Sequence, residues 1–439
     1  MISARTRAAL LLGVAAFSAY ALTAPPALTW EHNGEDGPEF AAVGALFGIT
    51  HPTGYPLFTL LLRLAAAAGG AVGVEPARAA TLLTALCAAG AVALLSGLLM
   101  EWLERAGATP GVAWCGLTGA ALLAVSPNFW GQANITEVYP LHLLFVVLLL
   151  RLATSWRGST ARLALLGYVA GLGLAHHLTT TLLAPPVLLL AARRGRLTPR
   201  ALAWAALALD GGVTLYAVLV LRSRLDPPLD WGNPETLGQF VAHLTGRQYQ
   251  NRLFHTELSV VLERVGTILG RHLPAQLGPM AWPLGLLGAL AWARRAGAAV
   301  AALLALFALQ IAFVANYTIP DPEAFYLPAL LAWAGLCAFG LAAAVEWLRG
   351  VGRGWRGRAA AWAPALLLAW PLLAAASTWP RVDLRRDDEA TRYAREAVSM
   401  LPPDALVLSE GDGRTFALWY GQATQRRFDA AVVYRALLE

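Results

Sequence analysis

Glu31-His32-Asn33-Gly34-Glu35-Asp36-Gly37-Pro38-Glu39-Phe40 sets four carboxylates within nine residues, directly after an apolar run at 8–24. Such a density stands out because charge is scarce in this chain. Only 14% of the 439 residues are Asp, Glu, Lys or Arg, while 57% are hydrophobic. Soluble domains carry about 25% charged residues. The mean hydropathy of +0.54 points the same way. This is the composition of an integral membrane protein, with polar groups confined between apolar runs. Disorder, coiled coil and a secreted disulfide scaffold are excluded. Cys87, Cys115 and Cys337 all lie inside apolar runs, and they form neither a disulfide framework nor a metal spacing.

Working outward, apolar runs recur at roughly 8–24, 78–100, 111–127, 138–153, 161–176, 178–192, 200–221, 277–293, 297–315, 325–347 and 359–378. A spanning helix needs about 20 such residues, fewer inside a bundle. A further run at 55–72 follows His51-Pro52-Thr53-Gly54-Tyr55-Pro56, carries Arg63 and ends in small residues. All 33 basic residues are Arg. If the 55–72 run lies along the interface, one side receives Arg5, Arg7, Arg105, Arg151, Arg157, Arg162, Arg193, Arg194, Arg196, Arg200, Arg294, Arg295, Arg349, Arg353, Arg356 and Arg358. The other side receives Glu31, Glu35, Asp36, Glu39, Glu75, Glu137, Asp321 and Glu323. Basic residues favour the cytoplasmic side. The expected topology therefore has about 11 transmembrane helices, a cytoplasmic N-terminus and acidic loops outside. The alternative for 8–24 is a cleaved signal peptide, which leaves the next loop outside too. Short Arg clusters between apolar runs are not a nucleic-acid patch.

The expected organisation is a transmembrane domain over 1–379 and a small extracytoplasmic α/β appendage over 380–439. The long outside segments are 25–77 and 222–276, the latter with apolar positions at helical spacing for helices lying on the membrane lipids. The appendage reads as helix 387–400, strand 405–408, helix 414–422 and strand 430–434.

Polar residues are costly to hold in a membrane protein, so their positions matter. Asp36 either caps a helix starting near Pro38, with Glu39 completing a capping box, or serves as a general base beside a helix N-terminus. His51 and Tyr55 form a rigid turn at headgroup level, where they could touch a phosphate. Gln132, Glu137 and Tyr139 flank the next outside loop, and Glu137 at a helix start is also favoured by the helix dipole. His176 and His177 sit at a bend without zinc-ligand spacing. Asp321 and Tyr326 belong to the last acidic loop, and Arg247 to the long one. Asp210, inside an apolar run before Gly211-Gly212, is either a paired acid or the mark of a transporter or lipid flippase.

The order of Asp36-Gly37-Pro38-Glu39-Phe40, His51-Pro52-Thr53-Gly54-Tyr55-Pro56, and Gln132 with Thr136-Glu137-Val138-Tyr139 resembles a family of bacterial membrane proteins. That family is related to the eukaryotic O-mannosyltransferase that modifies plexin-type (IPT) domains. Similarity continues through Gly171 to Thr179, Asp230-Trp231-Gly232-Asn233-Pro234, Gly246-Arg247-Gln248-Tyr249, Asn316 to Tyr326, Ser409 to Gly413, and Leu418-Trp419-Tyr420. Many relatives extend into a long repeat region beyond the point where this sequence stops.

The resemblance implies an all-α polytopic GT-C membrane fold. It implies an inverting glycosyltransferase that takes a sugar, mannose in the family, from a polyprenyl-phosphate carrier at the outer face of a bacterial inner membrane. The acceptor is a protein hydroxyl or an envelope glycan or lipid. By this resemblance Asp36 is the base and Glu39 its partner. His51, Tyr55, Gln132, Glu137, Tyr139, His176, His177, Arg247, Asp321 and Tyr326 are candidates for binding carrier phosphate or sugar. No cofactor beyond the lipid-linked sugar is expected. A divalent metal on Asp36, Glu39 and Glu137 stays open, since hard cations need only oxygens.

Overall fold

The computed structural model describes residues 3–350 and 355–437. Arg353 of the basic set lies outside them, as do residues 438 and 439 of the appendage. All eleven apolar runs fall on helical segments, and the 55–72 run forms a separate helix.

Helix α1 (Ala4–Thr23) is capped by the Ser3 hydroxyl. After an irregular turn at Glu31–Asp36, with His32 and Asn33 both left-handed, α2 (Gly37–Leu46) starts with Pro38 in its first turn. A left-handed Phe47 ends it. Helix α3 (Pro56–Ala71) buries Phe58, Thr59 and Leu62 and exposes Arg63 and Leu64. Helix α4 (Pro76–Arg105) begins at a Glu75 cap and runs 30 residues, about 45 Å at 1.5 Å per residue.

Among the described residues, five helices are long and apolar enough to cross a membrane: Ala4–Thr23, Pro76–Arg105, Pro199–Ser223, Gly297–Ala315 and Ala324–Gly350. A sixth is the pair Gly111–Ala124 and Pro127–Ala133, bent by 69° at its break. Shorter apolar helices fill the bundle at Tyr139–Ser155, Thr160–Leu174, Leu178–Ala192 and Ala281–Trp292. Close helix pairs meet at glycines. A Cβ on Gly171 would lie 2.1 Å from the Leu209 carbonyl oxygen, and one on Gly288 would lie 2.0 Å from that of Leu336. Small residues let backbones approach where lipid gives no hydrophobic drive between helices. The main core gathers Leu98, Trp102, Phe129, Trp130, Leu331 and Phe339.

The two ends of the bundle differ in charge. At one end, Arg5 bonds Glu104 at 2.7 Å, Arg151 bonds Glu101 at 3.0 Å, and Arg105 pairs with Glu101. Arg295 joins them through the Ala106 carbonyl. The other end holds the N-terminus of α4, where the Ala77 amide donates to the Tyr420 hydroxyl.

That hydroxyl belongs to the C-terminal segment. Beyond the helix Trp355–Val382 come helix Glu389–Ser399, strand β1 (Leu406–Ser409), helix Asp412–Gln425 and strand β2 (Ala431–Tyr434). The strands are parallel, from Leu406 opposite Ala431 to Ser409 opposite Tyr434. Ala390, Ala394, Ala417 and Tyr420 pack on Leu28, Ala41, Ala42 and Ala77. The segment thus sits directly on α2, the helix that carries the acidic motif.

Candidate active site

Asp36 and Glu39 lie at the start of α2, and His51 lies in the turn that leads to α3. The expected capping box does not form, because Asp36 makes no side-chain cap bond. Glu39 turns instead toward His51. Its two oxygens accept from the His51 amide at 2.8 Å and meet the imidazole Nδ1 at 2.5 Å. Glu39 is 1% exposed, so this grip is sheltered from water. A buried carboxylate is stable only when paired and hydrogen-bonded, and the turn supplies both partners.

The other ring nitrogen of His51, Nε2, lies 3.7 Å from the Asp36 carboxylate. Phe40, Tyr55 and Trp231 surround the imidazole at centroid distances of 5.6, 5.3 and 6.0 Å. Burial in this cage lowers the affinity of His51 for a proton, but Glu39 and Asp36 outweigh it and carry the imidazole up to about 10. His51 is therefore a cation at neutral pH. Asp36 keeps 38% of its side-chain surface open. The surrounding protein pushes its carboxyl up to about 7, with His51 opposing the rise and Glu39, Asp412 and Asp321 adding to it.

The turn holding His51 depends on Gly54. Its φ is +83°, and a Cβ there would lie 2.7 Å from Leu219 Cδ1 and 2.9 Å from His243 Nε2. Tyr55 follows, left-handed at φ 40°, and Pro56 opens α3.

Other predicted residues separate into three groups. Glu137 and Asp321 lie near enough to Asp36 for the charges to act on one another. Burial raises the Glu137 carboxyl well above its usual range, reinforced by Asp36 and Asp321. Burial also raises Asp321, to about 6, with Glu35 and Asp412 adding to the shift. Tyr55, Tyr139, His176 and His177 form an adjoining aromatic layer. His177 stacks near Tyr55, Tyr139 and Phe325, and its Nδ1 lies 2.6 Å from the Thr179 hydroxyl. His176 Nε2 bonds the Val138 carbonyl at 2.9 Å.

The third group stands apart. Gln132 donates to the His32 carbonyl at 2.8 Å and so braces the first loop. Tyr326 meets His272 at 3.1 Å beside an apolar cluster of Ile268, Ile311 and Val314. Arg247 is exposed at the start of the short turn Arg247–Arg252. Asp210 is exposed on the helix Pro199–Val213 and is not among the groups that act on Asp36, Glu137 or Asp321.

Sequence reading missed His142, Thr179, Tyr249, Trp231 and Asp412 as site residues. His142 lies 4.8 Å from the His177 ring, and its Nε2 meets the Thr179 hydroxyl at 3.2 Å. A histidine inside the 138–153 apolar run was the available signal. The remaining residues are brought in by tertiary contact.

Asp36, Glu39 and His51 each offer a ligand atom, all within 4.8 Å of one another, which a divalent cation could use. His51, not Glu137, takes the third corner. Both Glu39 oxygens are already engaged by His51, so the trio as arranged is an ion-paired acid beside an open carboxylate.

Comparisons with known proteins bear on this geometry. Residues 36–198 match the family model "Protein O-mannosyl-transferase TMEM260 N-terminal domain". The chain is 28% identical over 433 residues to the protein O-mannosyl-transferase TMEM260 of Mus musculus, covering 91% of this chain and 58% of the relative. It is 24% identical over 259 residues to the corresponding protein of Dictyostelium discoideum, covering 54% of this chain and 30% of that one. It thus spans little more than half the length of the mouse relative. Among solved structures it resembles ArnT from Cupriavidus metallidurans bound to undecaprenyl phosphate, with TM-score 0.54 and 14% identity over 98% of this chain and 85% of that one. It also resembles the Archaeoglobus fulgidus oligosaccharyltransferase, with TM-score 0.55 and 12% identity over 98% of this chain and 62% of that one. The chain is a multi-pass membrane protein that shares the fold of these solved structures and is similar in sequence to the eukaryotic protein O-mannosyl-transferases.

Proposed function

We propose that this chain is an inverting glycosyltransferase. It moves a sugar, mannose by analogy with the named relatives, from a polyprenyl-phosphate carrier to an acceptor hydroxyl. The observation that carries this reading is the Asp36 carboxylate, partly open and backed by the buried Glu39–His51 pair.

Lipid phosphate is already a leaving group, so no strong acid is needed. The acceptor hydroxyl is the weak partner and needs a base. Asp36 takes its proton as the hydroxyl oxygen forms a bond to the sugar's anomeric carbon. The bond from that carbon to the phosphate oxygen breaks, and the phosphate leaves with the electron pair. A single displacement from the opposite face inverts the centre. A positioned base contributes typically about 10² to 10⁴-fold. Glu39 holds His51, and His51 favours the ionised form of Asp36 that can accept the proton.

The donor phosphate reaches the site from the membrane, past the layer of Tyr55, Tyr139 and His177, while apolar helix walls take the prenyl tail. The ArnT structure with undecaprenyl phosphate supports a lipid-linked donor on this fold. In this reading the chain makes eleven crossings of a bacterial inner membrane. Its Arg-rich end is cytoplasmic, and its acidic end and C-terminal segment lie outside. Catalysis needs no bound metal.

The test compares envelope glycoproteins and glycolipids by mass spectrometry from a deletion strain and from strains restored with wild type or Asp36→Asn at equal abundance. A hexose mass shift lost in the deletion and in Asp36→Asn, and returning with wild type, is the expected result. Equal glycans with wild type and Asp36→Asn overturn the catalytic assignment.

A further inference from the structure

We propose that the C-terminal segment builds the acceptor side of the site. Trp231, Trp419 and Tyr434 form its wall, and Asp412 makes it select hydroxyls on neutral or basic peptides over anionic acceptors. The inference rests on the transferase reading above.

A run of rings leads from the base outward. His51 meets Trp231 edge-on at 6.0 Å. Trp231 in turn meets Phe416, Trp419 and Tyr434 at 5.9, 6.0 and 6.2 Å. Phe416 is buried at 1% exposure and anchors the cluster. Trp231, Trp419 and Tyr434 are only half-buried, so part of each side chain remains open. Trp419 is oriented by donating its indole N–H to the Val432 carbonyl at 3.2 Å, and Tyr434 donates to Asp412. Rings with a polar tip are well suited to grip a peptide at small entropic cost.

The segment is fixed in place. Trp30 donates to the Gly413 carbonyl at 2.9 Å, the Leu28 amide to Thr391 at 3.0 Å, and the Leu384 amide to the Thr23 carbonyl at 2.8 Å. A Cβ on Gly413 would lie 3.1 Å from the Trp30 ring. Asp412 therefore has a defined position beside Tyr434, whose ring meets Trp231, and its charge acts on both Asp36 and Asp321.

Charge then assigns the two sides. Glu35 and Asp36 come from the first loop, Asp321 from the last loop, and Asp412 from the C-terminal segment. Of the arginines in these segments, Arg435 pairs with Glu410 and Arg252 lies over the Tyr249 ring, while Arg247 and Arg414 are exposed. An anionic lipid phosphate is repelled from these acids and must approach from the membrane side. The acidic side is left for a partner without negative charge. Like-charge juxtaposition is how an interface rejects the wrong partner.

The experiment uses the full chain in lipid nanodiscs with polyprenyl-phosphate mannose. It measures donor hydrolysis by water, and transfer to two Ser/Thr peptides that differ only in Arg or Glu flanks. Wild type should favour the Arg-flanked peptide by about tenfold or more in kcat/KM. In Asp412→Asn, whose amide oxygen still accepts from Tyr434, KM for that peptide should rise about tenfold with kcat within about twofold, the signature of lost binding alone. Glu35→Gln should shift KM in the same direction by less. Preference for the Glu-flanked peptide, an unchanged preference in Asp412→Asn, or hydrolysis with transfer to neither peptide overturns the inference. Absence of both hydrolysis and transfer in wild type instead overturns the transferase reading.

Discussion

Asp36 is held between opposed influences. The protein around it and the neighbouring acids raise its proton affinity, and the imidazolium of His51 lowers it. The base form is required, so kcat/KM should rise with pH on a limb near 7. Removing the cation in His51→Gln should move that limb to higher pH, because the opposing influence is gone. A pH–rate profile of wild type and variant checks this, and an unmoved limb would mean that His51 does not act on Asp36. Chelation by EDTA should leave transfer unchanged, since Glu39 is engaged by His51 rather than open to a cation. Loss of activity restored by one added divalent metal would reverse that conclusion. The sequence drew attention to Asp36 and Glu39 through the carboxylate cluster beside an apolar run, and the family resemblance added His51. The sequence did not show who partners whom. Local spacing suggested a capping box, whereas the His51 amide and ring, twelve residues on, offered Glu39 two bonds in place of one.

At the scale of elements, the turn between α2 and α3 sets the position of His51. Gly54→Ala adds a methyl where φ is +83° and where Leu219 and His243 leave no room. Left-handed strain alone costs a non-glycine residue about 1 kcal/mol or more. The variant should melt earlier and lose transfer, as thermal unfolding in detergent and an activity assay would show. Gly70→Ala, in α3 with nothing within 4 Å of the added atom, should keep or slightly raise the melting temperature. Equal melting of both variants would remove the role given to the turn. The 55–72 run was legible as a separate helix after the His51–Pro56 turn, and the structure has it at Pro56–Ala71. Close pairs such as Gly171 against Leu209 were not legible, since an isolated glycine in an apolar run does not name its neighbour.

Across the whole molecule, the arginines of three helices and the 294–295 loop meet at one end, where Glu101, Glu104 and Glu346 pair with them, while Asp36, Glu137 and Asp321 gather elsewhere. The grouping was readable from the order of apolar runs and Arg clusters, because loops on one side must share a sign bias. It predicts that a cysteine at Glu410 reacts with a membrane-impermeant maleimide in intact spheroplasts, and that one at Arg294 reacts only after lysis. The native Cys87, Cys115 and Cys337 are buried and give little background. The opposite labelling pattern would invert the topology. The docking of the C-terminal segment on α2 was beyond sequence reading. Its bond from Leu28 to Thr391 joins residues 363 apart, and no periodicity encodes such a contact.

The most direct test of the central claim is transfer by the purified full chain from polyprenyl-phosphate mannose, comparing wild type with Asp36→Asn. We predict that Asp36→Asn lowers kcat by about 10² or more, leaves donor affinity within about threefold, and that the wild-type product has the inverted anomeric configuration. Turnover by Asp36→Asn at the wild-type rate, or a product that retains the donor's configuration, would contradict it.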